Sequence, residues 1–281
     1  MKAKRLKRIL LYFILIGSSI LMVIPFVWLV RSSLMTTLQI FKSPIEWIPK
    51  PFAWENYTNA LKAAPFAKYF LNTSILVINA VIGVTFTASL AGFAFARLPF
   101  PGKKILFYIL LSTMMLPFTV TMIPLYVTWS DLGLVGSRLP LMVPAWLGGG
   151  TALSSGAFSI FLLRQFFSTM PVALEEAAYI DGATPFYVYK KIIVPLSKPA
   201  LIVVGINTFL GTWNDFLGPI LYLKEDQYTL SVGLSTFKNN YYASWDMLMA
   251  ASTMVILPVI IIFFFAQKYF IEGIALSGMK G

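Results

Sequence analysis

Long apolar runs recur along the chain, and six of them, uncharged except for Asp215 in the fifth, could cross about 30 Å of hydrocarbon as helices rising about 1.5 Å per residue. The six runs are Ile9–Val30, Phe70–Ala96, Ile105–Trp129, Leu139–Leu163, Pro199–Leu223 and Met247–Gln267. They are much longer than the alternating segments of about ten residues that build membrane barrels. Because backbone groups in lipid must be paired within their own segment, the pattern predicts an all-α membrane protein with six transmembrane helices.

Prolines and glycines within these runs predict where the helices deviate from straight rods. Internal prolines include Pro25, Pro117, Pro124, Pro144 and Pro258. Neighbouring helices can satisfy the carbonyls that proline leaves unpaired, so we expect kinks there. In the fourth run the consecutive glycines 148–150 predict a broken or closely packed helix.

Composition supports a membrane protein and excludes much chemistry. Hydrophobic residues make up 58% of the 281 residues and charged residues only 12%, about half the usual charged fraction. The chain has no cysteine and no histidine. Thiolate and imidazole metal sites, cysteine nucleophiles, serine–histidine triads and disulfides are therefore excluded.

The distribution of Lys and Arg predicts the orientation. The amino terminus, the carboxyl terminus and the two loops on their side of the membrane hold 14 of these residues, against 8 in the three alternate loops. By the positive-inside rule both termini are cytoplasmic. The basic start followed by a 22-residue apolar run predicts a retained signal anchor. The positive-inside distribution accounts for the net charge of +11, so this charge does not indicate nucleic-acid binding. We therefore expect membrane lipid and no nucleic acid as a partner.

Three segments then lie outside: Arg31–Tyr69, Ser130–Arg138 and Lys224–Asp246. The first carries prolines and tryptophans, which predict an ordered path along the headgroup level. No internal repeat or low-complexity linker divides the sequence. We therefore expect one domain over residues 1–281.

The cytoplasmic segment Arg164–Lys198, called the coupling loop below, is too long and too patterned for a simple connection. Pro171 suits a first helical position, and Gly182 suits the left-handed residue that ends a helix. Thr184 and Pro185 form an N-cap and first-turn pair for a second helix. The pattern predicts helix, turn, helix, which by itself fits any short interfacial hairpin.

A more specific pattern lies within this loop. Glu176–Ala178 is followed after three residues by Gly182, and after nine more by Ile192–Pro195. This spacing resembles the EAA loop of permease subunits in ATP-binding-cassette (ABC) importers, although Val194 stands where leucine is usual. Trp213–Phe216 and the ending Gly273–Gly281 are similar to the carbohydrate-importer permeases, the group that includes the smaller maltose permease subunit.

The resemblance implies a type I ABC importer permease that carries sugars or oligosaccharides across the cytoplasmic membrane of a bacterium or archaeon. Its implied partners are a second homologous permease, two ABC ATPase chains and an extracytoplasmic solute-binding protein. No cofactor is expected on this chain, and ATP and Mg are expected on the partner ATPase. Gly102 and Lys103 lack the preceding glycine and strand of a phosphate-binding loop.

The resemblance also implies roles for particular residues. For coupling to the ATPase these are Glu175, Glu176, Ala177, Ala178, Asp181, Gly182, Pro185 and Pro195. Residues expected to contact the ATPase from the tail are Gly278, Lys280 and Gly281. Those expected to contact the binding protein are Thr236, Asn239, Asn240, Tyr241 and Tyr242.

Asp215 is the only ionisable residue well inside a predicted span, and such a group must face protein or water. It shares the fifth run with Asn207, Trp213 and Asn214, and aromatic, amide and carboxylate groups together suit sugar binding. These four residues are therefore candidates for the substrate path. The alternative, which we favour, is a polar clamp to a neighbouring helix or partner subunit. Proton coupling through Asp215 fits the sequence less well than either of these roles, because the spans hold no second carboxylate to relay a proton.

Two rival functions remain at this point. One is import of another solute, such as glycerol phosphate or a peptide. The other is an integral-membrane enzyme in which Glu175, Glu176 and Asp181 hold a divalent metal. The enzyme would need carboxylates converging from several helices, whereas these three lie in one loop beside Lys190 and Lys191.

Overall fold

The structure, a computed structural model, describes residues 2–150, 156–238 and 243–278. Its α-helices are α1 Lys2–Ser33, α2 Thr37–Ile40, α3 Glu55–Ala63, α4 Phe66–Arg97, α5 Lys103–Thr113, α6 Phe118–Asp131, α7 Leu139–Trp146, α8 Gly156–Ser168, α9 Ala173–Ile180, α10 Pro185–Val188, α11 Val194–Leu196, α12 Lys198–Trp213, α13 Leu217–Tyr222, α14 Leu230–Ser235 and α15 Trp245–Gly278. A π-helical turn covers Tyr189–Ile193 and a 3₁₀ turn covers Glu225–Gln227. One antiparallel bridge pairs Lys238 with Ala243.

Three of the predicted spans are continuous helices. Within α1, α4 and α15, the segments Arg5–Ser33, Phe66–Arg97 and Trp245–Lys268 are each long and apolar enough to cross a membrane. They correspond to the first, second and sixth apolar runs. Pro25 and Pro258 lie inside α1 and α15, which continue through them. The all-α prediction is confirmed in the described part of the chain.

The other three runs are interrupted, as the internal prolines and the glycines 148–150 predicted for the third and fourth; the break in the fifth was not predicted. In the third run α5 and α6 meet at an angle of 97°, and Pro117 is the N-cap of α6. In the fourth, α7 ends before Gly148 and Gly150, which have φ of +76° and +78°. In the fifth, α12 ends at Trp213 and α13 begins at Leu217. Proline and left-handed glycine end helices for steric reasons that hydropathy does not register.

The Cα packing divides the chain into two compact units. The first unit comprises Met1–Pro65 and Leu234–Pro258. Its interior includes Asn56, whose side-chain amide donates to the carbonyls of Ser33 at 3.1 Å and Met35 at 2.8 Å. These bonds hold α3 against the end of α1. The predicted headgroup tryptophans, Trp47 and Trp54, are 60% and 64% exposed.

The second unit comprises Phe66–Gly233 and Val259–Gly281, and α4 lies at its centre. Helices α7, α8 and α12 pack on α4. Two glycines of α4 allow close approach: a Cβ at Gly83 would lie 3.1 Å from Cβ of Ala145, and one at Gly92 would lie 3.1 Å from Cβ of Leu163. The interior of this unit is therefore packed around the middle of α4.

Candidate functional site

The coupling loop has the predicted helix, turn, helix form. Helix α9 ends in a glycine turn, in which Gly182 has φ of +82° and the N–H of Ala183 donates to the carbonyl of Ala178 at 2.9 Å. The Thr184 hydroxyl then accepts from the N–H of Tyr187 at 3.3 Å as the N-cap of α10. Both the left-handed glycine and the threonine cap are confirmed. The first helix begins at Ala173, two residues after the predicted Pro171.

The second helix of the loop changes its hydrogen-bond pattern before it ends. Helix α10 continues through the π-helical turn Tyr189–Ile193 into α11, which ends at Leu196. Pro195 lies inside α11 and has no N–H to offer the carbonyls of the preceding turn. A π turn, in which the N–H of Val194 reaches the carbonyl of Tyr189, accommodates this missing donor. The axes of Pro185–Leu196 and Lys198–Trp213 then differ by 77°.

Most of the predicted coupling residues lie on the open face of this loop. The exposed ones are Glu176, Ala177, Asp181, Gly182, Pro185 and Pro195, and Ala178 is half-buried. Two apolar side chains that sequence reasoning missed stand beside them: Ile180 is 86% exposed and Phe186 is 64% exposed. An apolar surface edged by carboxylates suits a partner with an apolar groove and basic lining.

Glu175 is the exception among these residues, because its side chain is buried. Its Oε1 lies 2.8 Å from Nε of Arg97, an ion pair whose angle is not that of a hydrogen bond. Burial raises the pKa of the Glu175 carboxyl above its usual value, and the charge of Arg97 opposes that rise. Glu175 therefore holds the loop from within and does not contribute to the exposed face in this conformation.

Arg97 also contacts the backbone that leads into the loop. Its Nη2 donates to the carbonyls of Phe167 and Met170, each at 2.7 Å. These carbonyls lie at and just after the end of α8, where the helix leaves acceptors unpaired. The three contacts form what we call the inner clamp, which joins the last residue of α4 to α8 and α9. In the sequence, the only sign of the inner clamp was a single arginine directly after the second apolar run.

The second helix of the loop is attached to α4 as well. The hydroxyls of Ser89 and Tyr189 lie 2.6 Å apart, and the rings of Phe93 and Tyr189 pack with centroids 5.3 Å apart. Ser89, Phe93 and Tyr189 are all buried. Helix α4 therefore supports both helices of the coupling loop.

The four candidate substrate-path residues are not brought into one open cleft. Trp213 is buried and stacks on Phe209, with ring centroids 5.3 Å apart. Asn207 is half-buried, and the exposed Asn214 donates its side-chain amide to the carbonyl of Leu210 at 2.9 Å. Their role in sugar binding stays a prediction.

Asp215 has a local structural task. Its side chain is 4% exposed, and Oδ1 accepts the N–H of Gly218 at 3.0 Å. A Cβ added at Gly218 would lie 2.6 Å from Oδ2 of Asp215, so the glycine leaves room for the carboxylate. Asp215, one residue before the N-cap Phe216, thus accepts a backbone N–H of the first turn of α13 where the fifth run breaks.

The segment Lys224–Asp246, called the outer segment after its predicted location, is anchored through residues 226–230 to the first turns of α4. Asn72 donates its side-chain amide to the carbonyls of Tyr228 at 3.0 Å and Asp226 at 3.3 Å. Nη2 of Arg138 donates to Oδ1 of Asn72 at 2.6 Å. The N–H of Leu230 donates to the Thr73 hydroxyl at 2.9 Å. We call these contacts the outer clamp. Asn72 lies within the second apolar run, and no local motif identified it as a contact residue.

The remaining predicted contacts lie at or beyond the described parts of the chain. Thr236 is exposed and follows α14. Asn239, Asn240, Tyr241 and Tyr242 lie outside the described residues. Gly278 is the last residue of α15, and Lys280 and Gly281 lie outside the described residues.

The carboxylates of the enzyme alternative do not converge. Glu175 faces Arg97, whereas Glu176 is exposed. Within the described residues no group of three carboxylates could hold a metal ion.

Comparisons with known proteins agree with the fold. The family model described as "Binding-protein-dependent transport system inner membrane component" matches residues 83–275. The chain is 33% identical over 267 residues to the arabinooligosaccharides transport system permease protein AraQ of Bacillus subtilis, covering 94% of this chain and 92% of that protein. It is 30% identical over 258 residues to the diacetylchitobiose uptake system permease protein NgcG of Streptomyces coelicolor, covering 91% and 83% of the two chains.

A solved structure supplies the fold comparison. A chain of a bacterial ABC transporter involved in the import of the acidic polysaccharide alginate superposes with a TM-score of 0.80, at 22% identity, over 96% of this chain and 98% of that one. The expected type I importer permease fold is confirmed.

Proposed function

The chain belongs to the family of binding-protein-dependent transport system inner membrane components, and from that premise we propose that it is the permease subunit of an ATP-driven importer of sugars or oligosaccharides. Relatives named for arabinooligosaccharides and diacetylchitobiose, matched along most of their length, support this substrate class. A third, named as a probable transport system permease for starch degradation products, is 30% identical over the whole chain.

The observation that carries the proposal is the exposed face of the coupling loop. Its two short helices are held from within by Arg97 and Tyr189, while Glu176, Ile180 and Phe186 point away from the chain. A helix pair held rigidly on one side and exposed on the other can seat in a groove of an ATPase and move with it. ATP and Mg would then bind the partner ATPase chains.

The complete complex in this proposal has a second homologous permease, two ATPase chains and an extracytoplasmic binding protein. Both termini of this chain are cytoplasmic, which puts the coupling loop beside the ATPases and the outer segment beside the binding protein. Thr236 and residues 239–242 contact the binding protein, and Gly278, Lys280 and Gly281 contact the ATPase.

The proposal is tested by purifying the tagged chain with its co-expressed partners and reconstituting the complex. We expect an ATPase to co-purify and ATP-driven uptake of a labelled oligosaccharide when binding protein is present. Glu176→Lys reverses a charge on the exposed face and should abolish co-purification. Asp131→Lys makes the same change at the exposed last residue of α6, on the predicted outer side of the membrane, and should leave co-purification intact. Uptake of peptide or glycerol phosphate but no sugar would overturn the substrate class, and co-purification that survives Glu176→Lys would overturn the docking face.

A further inference from the structure

Helix α4 carries a buried polar attachment at each end. Near its outer end Asn72 and Thr73 are 1% and 0% exposed and hold the backbone of residues 226–230. At its inner end Arg97 holds the carbonyls after α8 and the carboxylate of Glu175. One element therefore contacts both the outer segment and the coupling loop.

The outer clamp is built to resist slippage. The Asn72 amide uses both of its N–H donors on backbone carbonyls and its oxygen on Arg138. Because the donor to that oxygen is a charged guanidinium, the bond is stronger than one between neutral groups. Loss of the amide would leave several of these buried groups unpaired, which is costly in a low-dielectric site.

Between the clamps α4 has the properties of a rigid rod. It has no internal proline, and 25 residues at about 1.5 Å each separate Asn72 from Arg97 by about 38 Å. Close packing of α7 at Gly83 and of α8 at Gly92 restricts lateral movement of the middle of α4. A helix packed in this way transmits a tilt or shift at one end because its interior cannot deform gradually.

We propose that α4 links the outer segment to the coupling loop as one rigid element, with Asn72 and Arg97 as the positioning residues at its two ends. The link rests on the proposed function, since it assumes that an ATPase binds the loop and a binding protein meets the outer segment. A docked binding protein shifts residues 226–230, and α4 carries that shift to α9 and to Tyr189.

The first test measures ATP hydrolysis by the reconstituted complex with and without binding protein. Asn72→Ala should reduce the stimulation by about 5-fold or more while basal hydrolysis and co-purification of the ATPase remain. Asn79→Ala is the matched control, because Asn79 lies on the same helix and bonds to Met142 and Trp146 of α7 instead. The control should keep its stimulation. Thr73→Val, which keeps the side-chain shape, should repeat the loss and serves if Asn72→Ala does not insert.

The second test asks whether the two clamps act through one element. If they do, Asn72→Ala combined with Arg97→Lys should lower stimulation no further than the more severe single variant. If the two clamps act independently, the fold-changes of the two single variants multiply.

The third test is independent of hydrolysis. Since the chain has no cysteine, Ile180→Cys introduces this chain's only thiol, on the face of α9 that the ATPase covers in the proposed complex, so its labelling reports how closely that face is covered. Its labelling rate should change when binding protein is added to the otherwise native complex, and Asn72→Ala should remove that change. Unaltered stimulation in Asn72→Ala, or multiplying effects in the double variant, would overturn the link alone. A native complex in which binding protein changes neither ATP hydrolysis nor thiol labelling would overturn the proposed function and the link with it.

Discussion

Nε of Arg97, the last residue of α4, lies 2.8 Å from Oε1 of Glu175 in the first turn of α9, with both side chains less than a tenth exposed. Glu175 is one of the predicted coupling residues, yet its side chain faces inward. It separates the loop into an inner surface that holds its position and an outer surface available to a partner.

Removing one member of this pair should destabilise the chain. Arg97→Gln leaves a buried carboxylate without its counter-charge, and losing one partner of a buried pair typically costs about 3 to 5 kcal/mol. Thermal unfolding of the purified complex should show a clear drop. Lys104→Gln removes an exposed charge from the first turn of α5 and should change stability by less than about 0.5 kcal/mol.

The stability of Arg97→Gln should also depend on pH and should fall as pH rises. Burial already raises the pKa of Glu175, and without Arg97 nothing opposes that rise. A carboxyl whose pKa is raised in the folded state stabilises the fold only while protonated, so stability falls as pH rises above the usual carboxyl range. Arg97→Gln should therefore unfold at a lower temperature at pH about 8 than at pH about 5. An equal difference in the native chain would contradict this explanation.

Gly182→Val should uncouple ATP hydrolysis from uptake. The residue has φ of +82° and no heavy atom near its would-be Cβ, so the strain of about 1 to 2 kcal/mol is purely conformational. Relief of that strain changes the angle between α9 and α10. The control is Gly102→Val, because Gly102 has φ of +74° and equally open surroundings and lies in the other loop that is predicted to be cytoplasmic. If both variants import sugar normally per ATP, the turn does not set the coupling.

Asp215 provides a test between helix capping and sugar binding. Asp215→Ala removes the acceptor for the N–H of Gly218 and should cost about 0.5 to 2 kcal/mol in stability. Asp215→Asn keeps a capping oxygen and should retain most stability and uptake. Uptake lost in Asp215→Asn with unchanged stability would instead indicate that the carboxylate contacts the sugar.

Replacing residues 239–242 by a glycine–serine segment of the same length tests the proposed binding-protein contact. The length is kept so that Lys238 and Ala243 can still pair. We expect lower sugar uptake and lower binding-protein-stimulated ATP hydrolysis, with basal hydrolysis unchanged. If stimulation is unaffected, this stretch is only a spacer.

The orientation is tested with reporter fusions. The excess of Lys and Arg around Arg97–Lys104 predicts that a fusion after Lys104 lies in the cytoplasm and one after Arg138 lies outside. Activities from the same side would refute the topology.

The sequence by itself determined the class of protein and the form of the coupling loop. Apolar runs of membrane length require helices, whatever their tertiary partners, because lipid offers no hydrogen bonds. Gly182 and Thr184 act within a few residues of themselves, so their turn and cap could be predicted from local spacing.

The tertiary structure alone decided which polar residues work together. Arg97 and Glu175 are 78 positions apart, Asn72 and Tyr228 are 156 apart, and no local pattern connects them. For the same reason Glu175 was grouped with the exposed Glu176, although packing buries it against α4. Hydropathy reports how apolar a segment is, whereas the partner of a buried polar group depends on which distant segment packs against it.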